Sequence, residues 1–437
     1  MAIFLGAKGT DVLLSRGAVD LSGSLKETLT EKMAYLLPGE QVALLLNMQG
    51  RLQEELAFEK ESQAGFAGIM AELEGAVYED MLPSLHQRYR RMAVYYFARR
   101  GSVLAFHGLC NAWLDSLVCK VLELAAAGLE LADMGKPPVP YCLLATGVAG
   151  REEQALAAKL EYFLVYAEDT GNAADYFNQF AYRIIAVLEA CGMVLGGDRM
   201  EQGQKIWHGS AASWRRWVED ELHREPAPHP SLLTVLPSFT VSMKPLHQED
   251  WERSPIIFTI ADLRVVCGDH QLTSELMDFV RSMVMKERET ETFTLLARKV
   301  VAMPVALGFF GGFRVERHGE HRGEFNVEEF ALAPLVLNVA ILACKYGLLQ
   351  TGTIPRIKGL VEGGRLGVEL GERLLRAFHE FSRQRIVQVV NSAAVSPSGF
   401  YLNPDNLEEE DMKYFKNGLE SLTTLQKIIY QVFSEQG

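Results

Sequence analysis

The sequence has no CxxC pair, no surplus of positive charge and no apolar run long enough to span a bilayer. Its six cysteines, Cys110, Cys119, Cys142, Cys191, Cys267 and Cys344, stand apart from one another, mostly within apolar stretches. This argues against a disulfide framework or a zinc site and for small thiols kept reduced. Lys and Arg number 43 against 56 Asp and Glu, a formal net charge of −13. A dedicated nucleic-acid binder needs clustered cations for phosphate, so no nucleic-acid partner is expected. The longest apolar run, Leu332 to Ala343, contains Pro334 and Asn338 and falls short of the roughly 20 residues of a membrane helix. The N-terminal MAIFLGAKGTD lacks the basic start and long apolar core of a secretory signal. The expectation is a cytoplasmic protein with no membrane partner.

What the sequence does contain is enough apolar residue for two or three cores: 48% of 437 residues, with 23% charged. Residues 1 to about 105 read as mainly helical, with Leu44, Leu45, Met48, Leu52 and Leu56 near a 3.6-residue period. His86, Arg88, Arg90, Arg91, Arg99 and Arg100, interleaved with Tyr89, Tyr95 and Tyr96, read as a solvated helix face, the alternative being a docking surface for an acidic partner. A helix is expected from about Ala112 to Met134, stopped by Gly135 and by Pro137, Pro138 and Pro140. Further helices are expected over about 174–190 and 412–433, the last opened by the acidic run Glu408 to Asp411.

Between them, Tyr141 to Glu168 reads as strand, glycine-bearing turn, short helix and second strand. Tyr141 to Ala145 and Tyr162 to Tyr166 are the strands. Gly147 and Gly150 follow the first, where a turn can offer backbone N–H groups to phosphate. Two glycines after a strand are by themselves more often only a tight turn.

The dispersed motifs carry more weight. PPVPYCLLATG, GVAGREEQALAAKLEYFLVY, SWRRWVED, ADLRVVCGD, LGFFGGFRVERHGEHRG and APLVLNVAILACKYGLLQTGTIPR together resemble the DUF294 nucleotidyltransferases, relatives of the bacterial PII-protein uridylyltransferase in the polymerase-beta-like superfamily. The resemblance covers roughly residues 106 to 390. It implies an α+β protein: a mainly helical region over 1–105, a nucleotidyltransferase-like domain with a small mixed sheet over 106–272, and a helical substrate-binding domain over 273–437. It also implies an NTP at a Gly-Ser turn and two Mg²⁺ ions held by three carboxylates, so that catalysis is positioning and charge stabilisation.

Residue by residue, Gly147, Gly150, Arg151, Glu153 and Gln154 match the family pattern, and Gly147, Gly150, Arg151 and Lys159 are the nucleotide-binding candidates. Val148 stands in place of the serine and cannot donate a hydrogen bond to phosphate. Lys159 stands where the first metal-binding aspartate belongs, and Ala158 replaces the preceding threonine. Glu161 and Asp262 occupy the other two carboxylate positions, as remnant catalytic residues and, if activity persists, metal ligands. At about 4 Å and an effective dielectric near 20, an ammonium repels a divalent ion by about 8 kcal/mol, so conventional two-metal transfer is expected to be disabled. Asn326, Glu328 and Ala340 are further departures in the second half, and residues 231–254 form an apparent insertion containing Trp251.

The function these residues point to is a pseudoenzyme that acts in signalling by binding a small nucleotide or a protein partner, with Lys159 paired to Glu161 or Asp262 in place of a metal. The alternative is an active enzyme that moves a nucleotidyl group to a protein acceptor, using Glu152, Glu161 and Asp262. A third reading makes the terminal helical regions interaction surfaces around an inert centre. His318 to His321 read as a turn rather than a metal site, and Trp207, Trp214 and Trp217 as core rather than a base-stacking platform.

Overall fold

The computed structural model describes residues 33–155, 159–196, 205–224, 255–308, 311–391 and 400–434. Its contacts divide the chain into two units, Met1–Ala67 and Gly68–Gly437. The described part of the first is largely the start of helix α1 (Pro38–Glu74), whose Leu45, Leu52 and Leu56 are exposed.

In the second unit, α2 (Leu82–Arg100) and α3 (Val103–Leu131) pack through aromatic side chains. Tyr89 stacks on Trp113 with ring centroids 4.3 Å apart, and the Trp113 indole N–H donates to Nδ1 of His86 at 2.9 Å. The basic run of α2 is therefore split: Arg88, Arg91 and Arg99 are exposed, while His86 and Tyr89 belong to the core. Ser102 caps α3 by accepting from the Ala105 N–H. Gly135, at φ 75°, follows the end of the helix.

The sheet is small and mixed. Strands β1 (Tyr141–Thr146) and β2 (Lys159–Tyr166) are antiparallel, with helix α4 (Ala173–Ala190) following. Strands β3 (Val194–Leu195) and β4 (Trp207–Ser210) both pair in parallel with β2. Helices α5 (Ala211–Arg224) and α6 (Ile256–Ala261) lead to β5 (Arg264–Gly268), which is antiparallel to β1 on its other side. The expected insertion at 231–254 lies outside the described residues.

The rest is helical: α7 (His270–Glu287), α8 (Glu291–Val301), α9 (Ala333–Lys345), α10 (Thr353–Glu362), α11 (Val368–Asn391) and α12 (Glu409–Ser434), with a two-stranded ribbon of β6 (Phe325–Asn326) and β7 (Tyr401–Leu402). Asp269 and Thr290 cap α7 and α8. Glu409, Glu410 and Asp411 occupy the first turn of α12, where negative charge meets the helix dipole. One apolar core runs from Leu144 and Phe163 of the sheet, through Trp214 and Ile260, to Leu335, Phe378 and Phe415 of the C-terminal helices. Among the described residues no helix is long and apolar enough to cross a membrane.

Candidate functional site

The turn that follows β1 is one short helical turn, Gly147–Gly150, entered through Gly147 at φ 58°. Gly150 is needed for a different reason. A Cβ there would lie 1.9 Å from the carbonyl oxygen of Asp262 and 3.0 Å from that of Ala145. The turn is thus pressed against the α6–β5 junction, and only a glycine allows so close an approach.

Around this contact the charged residues converge. Arg151 donates to Asp262 at 2.5 Å and to Glu153 at 2.8 Å. Asp262 also pairs with Arg356 of α10 at 2.8 Å, and Arg356 donates to the carbonyls of Ala261 at 2.9 Å and Gln350 at 2.8 Å. The second Glu153 oxygen accepts the backbone N–H of Thr353, the first residue of α10, at 2.7 Å, so the carboxylate sits on that helix's positive end. Burial alone would lower Arg151, but Asp262 and Glu153 outweigh it and hold the guanidinium well above its ordinary value. Two carboxylates and two guanidinia balance in a nearly dry cluster that joins the glycine turn to the C-terminal helices.

A second set fixes the turn from the opposite side. Arg264 donates to the Ala149 carbonyl at 3.0 Å and takes Asp115 of α3 through bonds of 2.7 and 3.0 Å. Asn111 of α3 donates to the Glu152 carbonyl. Glu152, on the turn at φ 58°, lies 3.8 Å from Arg264 of β5. Glu161 on β2 opposes Thr146 in the β1–β2 register and is half-buried. The backbone of Lys159 pairs with Val194, but its side chain, like Ala158, lies outside the described residues.

Beside the cluster is a pocket of about 120 Å³, lined by His107, Val148, Arg151, Leu332, Val336, Phe378 and others. Pockets for drug-sized ligands run to about 300 Å³ or more. Val148 faces it with an isopropyl group. Burial, with Arg385 and His379 nearby, drives His107 down to about 3, so its imidazole is neutral at pH 7. The C-terminal positions Asn326, Glu328 and Ala340 have structural roles. Asn326 accepts the N–H groups of Glu328 and Glu329, Glu328 pairs with Arg385 at 2.8 Å, and Ala340 is buried in the core.

Comparison with known families fits this frame. Residues 87–228 match the family model described as "Putative nucleotidyltransferase DUF294", and residues 290–433 match "Putative nucleotidyltransferase substrate binding domain". The chain belongs to the DUF294 nucleotidyltransferase family. The two matched segments carry, in turn, the glycine turn with β2 and the α9–α12 bundle, so the salt-bridge cluster joins the two DUF294 parts. No curated protein matches the sequence.

Within this DUF294 chain the structure brings Gly150, Arg151 and Asp262 together; Glu161 is placed by its register opposite Thr146, where β1 runs into Gly147. Among the described residues no group of three His, Cys, Asp or Glu side chains is placed to hold a metal ion. His318–His321 form part of a turn, with His321 stacked on Tyr401 and 2.9 Å from Glu324. Trp207, Trp214 and Trp217 surround Phe163 in the core. Sequence reasoning gave Arg356 and Arg264 no place in the site and Glu153 only a match to the family pattern. Arg356 closes the motif ending GTIPR and Arg264 closes ADLR, so both were visible as motif residues without a role.

Proposed function

We propose that this DUF294 protein is a pseudoenzyme: it keeps the nucleotidyltransferase architecture and acts by binding, with the two-metal site converted into a salt-bridge joint. The observation that carries this is Asp262. One of its oxygens accepts a hydrogen bond from Arg151 and the other lies 2.8 Å from the Arg356 guanidinium, an ion pair without hydrogen-bond geometry, so two cations already compensate the carboxylate that a metal would need. The donor set does not fit Mg²⁺. A metal at Asp262 would have to displace a buried guanidinium, and leaving one such charge unpaired costs about 3–5 kcal/mol. Val148 supplies no side-chain hydrogen bond to a phosphate, and the adjoining pocket is small.

The alternative, transfer of a nucleotidyl group to a protein acceptor in the manner of the PII-protein uridylyltransferase, would need Glu152, Glu161 and Asp262 as its carboxylates. Glu152 lies near Arg264 and Asp262 is doubly paired, which counts against that set. The test is incubation of the full chain with Mg²⁺ and labelled ATP or UTP, with and without candidate acceptor proteins. No Mg²⁺-dependent turnover is expected. Transfer to any acceptor that disappears in Glu161→Ala would refute the proposal.

A further inference from the structure

Strand β5 carries an irregularity where it pairs with β1. Leu143 opposes Cys267 and Leu144 opposes Val265, so Val266 is an extra, unpaired residue. In a regular strand, residues three apart point to opposite faces. The extra residue shifts the phase and returns Cys267 to the face that carries Arg264.

That face meets α3. Asp115 holds Arg264 there, and one helical turn further along, Cys119 reaches the irregularity, its sulfur 4.0 Å from the Val266 carbonyl. Cys267, turned to that face, neighbours Cys119, and the two thiols act on one another directly. Two parallel contacts thus tie the helix to the strand, one ionic and one between sulfurs.

The other four cysteines differ. Cys110, Cys142, Cys191 and Cys344 are buried, and burial pushes each thiol up. Cys119 and Cys267 are only partly buried. The neighbouring Cys267 thiol holds Cys119 below the ordinary thiol value, against the opposing effects of burial and Asp115, and Arg264 helps. Cys267 is raised in turn. Two partly buried thiols on facing elements, one of them eased toward its thiolate, can form a sulfenic acid and then close to a disulfide.

We propose that Cys119 and Cys267 form a reversible dithiol–disulfide site whose oxidant is a hydroperoxide. Cys119 releases its proton and the thiolate attacks the terminal peroxide oxygen; an S–O bond forms, the O–O bond breaks, and the departing oxygen takes up that proton, leaving as water from hydrogen peroxide or as the alcohol from an organic hydroperoxide. Cys267 then attacks the sulfenic sulfur. The S–S bond forms as the S–O bond breaks, and the second oxygen leaves as water with the Cys267 proton. Two electrons pass from the two sulfurs to the peroxide. The bond would clamp α3 to β5 beside Arg264, which also holds the Ala149 carbonyl of the glycine turn.

The test uses the full chain treated with hydrogen peroxide, alkylated, digested and read by mass spectrometry without reduction. The expected product joins the peptides containing Cys119 and Cys267 with the loss of two hydrogens, is released by dithiothreitol, and is absent from Cys119→Ser and Cys267→Ser. In Cys267→Ser a dimedone-trapped sulfenic acid should accumulate at Cys119. The proposal is overturned if Cys119 and Cys267 stay separately alkylated, advance to sulfinic acid without joining, or pair with other cysteines or a second chain.

Discussion

Arg356 of α10 meets Asp262 of the α6–β5 junction at 2.8 Å, with both side chains almost wholly enclosed. The pair joins segments matched by neither family model in the one case and by the substrate-binding model in the other, and Arg151 completes it from the glycine turn. In a two-metal enzyme the centre of such a site is anionic and awaits cations. Here the cations are part of the protein.

Arg356→Met should therefore destabilise the fold by about 3–5 kcal/mol, because it leaves Asp262 with half its compensation in a dry setting. Adding Asp262→Asn to that variant should recover part of the loss. Urea unfolding of the single and double variants measures both, and additive losses would show that the two side chains are not coupled.

Gly150→Ala should be at least as damaging, since its Cβ would collide with the backbone carbonyl of Asp262 rather than with a movable side chain. Gly147→Ala places its Cβ in open space and is strained only through its positive φ, so about 1–2 kcal/mol is expected. Thermal melts of the two variants should separate clearly. Equal losses would contradict the steric reading of Gly150.

Much of this was legible in the sequence, and what was not has a definite cause. The strands at 141–145 and 162–166 and the helices near 112–134, 174–190 and 412–433 were readable because apolar period and punctuation agree there. The observed elements are 141–146, 159–166, 103–131, 173–190 and 409–434, so the expected 112–134 helix begins nine residues earlier and stops three residues sooner. The glycine turn was readable as a turn. What could not be read was the partner of Asp262, because Arg151 and Arg356 reach it across long stretches of chain and nothing in local spacing encodes an ion pair. The basic run of α2 misled for a related reason: His86 is buried by Trp113, a residue of the next helix.

Acid should weaken the fold through its buried histidines. Burial, with Arg90 adding, lowers His86 to about 4, and His107 falls to about 3. Both are neutral in the folded protein, whereas unfolded histidine takes up a proton near 6.5. The stability they protect is complete above about pH 6.5 and is lost as pH falls toward 4 and then 3. The His86 contribution is about 3 kcal/mol. Urea unfolding at pH 7.5 and pH 5 should show the decline, and His86→Gln should flatten it.

Introducing at positions 148 and 159 the residues that the resemblance implies should not create a metal site. Lys159→Asp with Val148→Ser supplies a carboxylate and a hydroxyl but leaves Asp262 between two arginines, so Mg²⁺ and NTP binding by calorimetry should stay undetected. Binding recovered by those two changes alone would show that Arg151 and Arg356 yield readily to a metal.

The most direct measurement is a crystal of the full chain soaked with ATP or UTP and MgCl₂. Arg151 and Arg356 are expected to stay on Asp262, with no metal between Glu161 and Asp262. A Mg²⁺ ion coordinated by Asp262, with the guanidinia displaced and a triphosphate along Gly147 to Arg151, would contradict it.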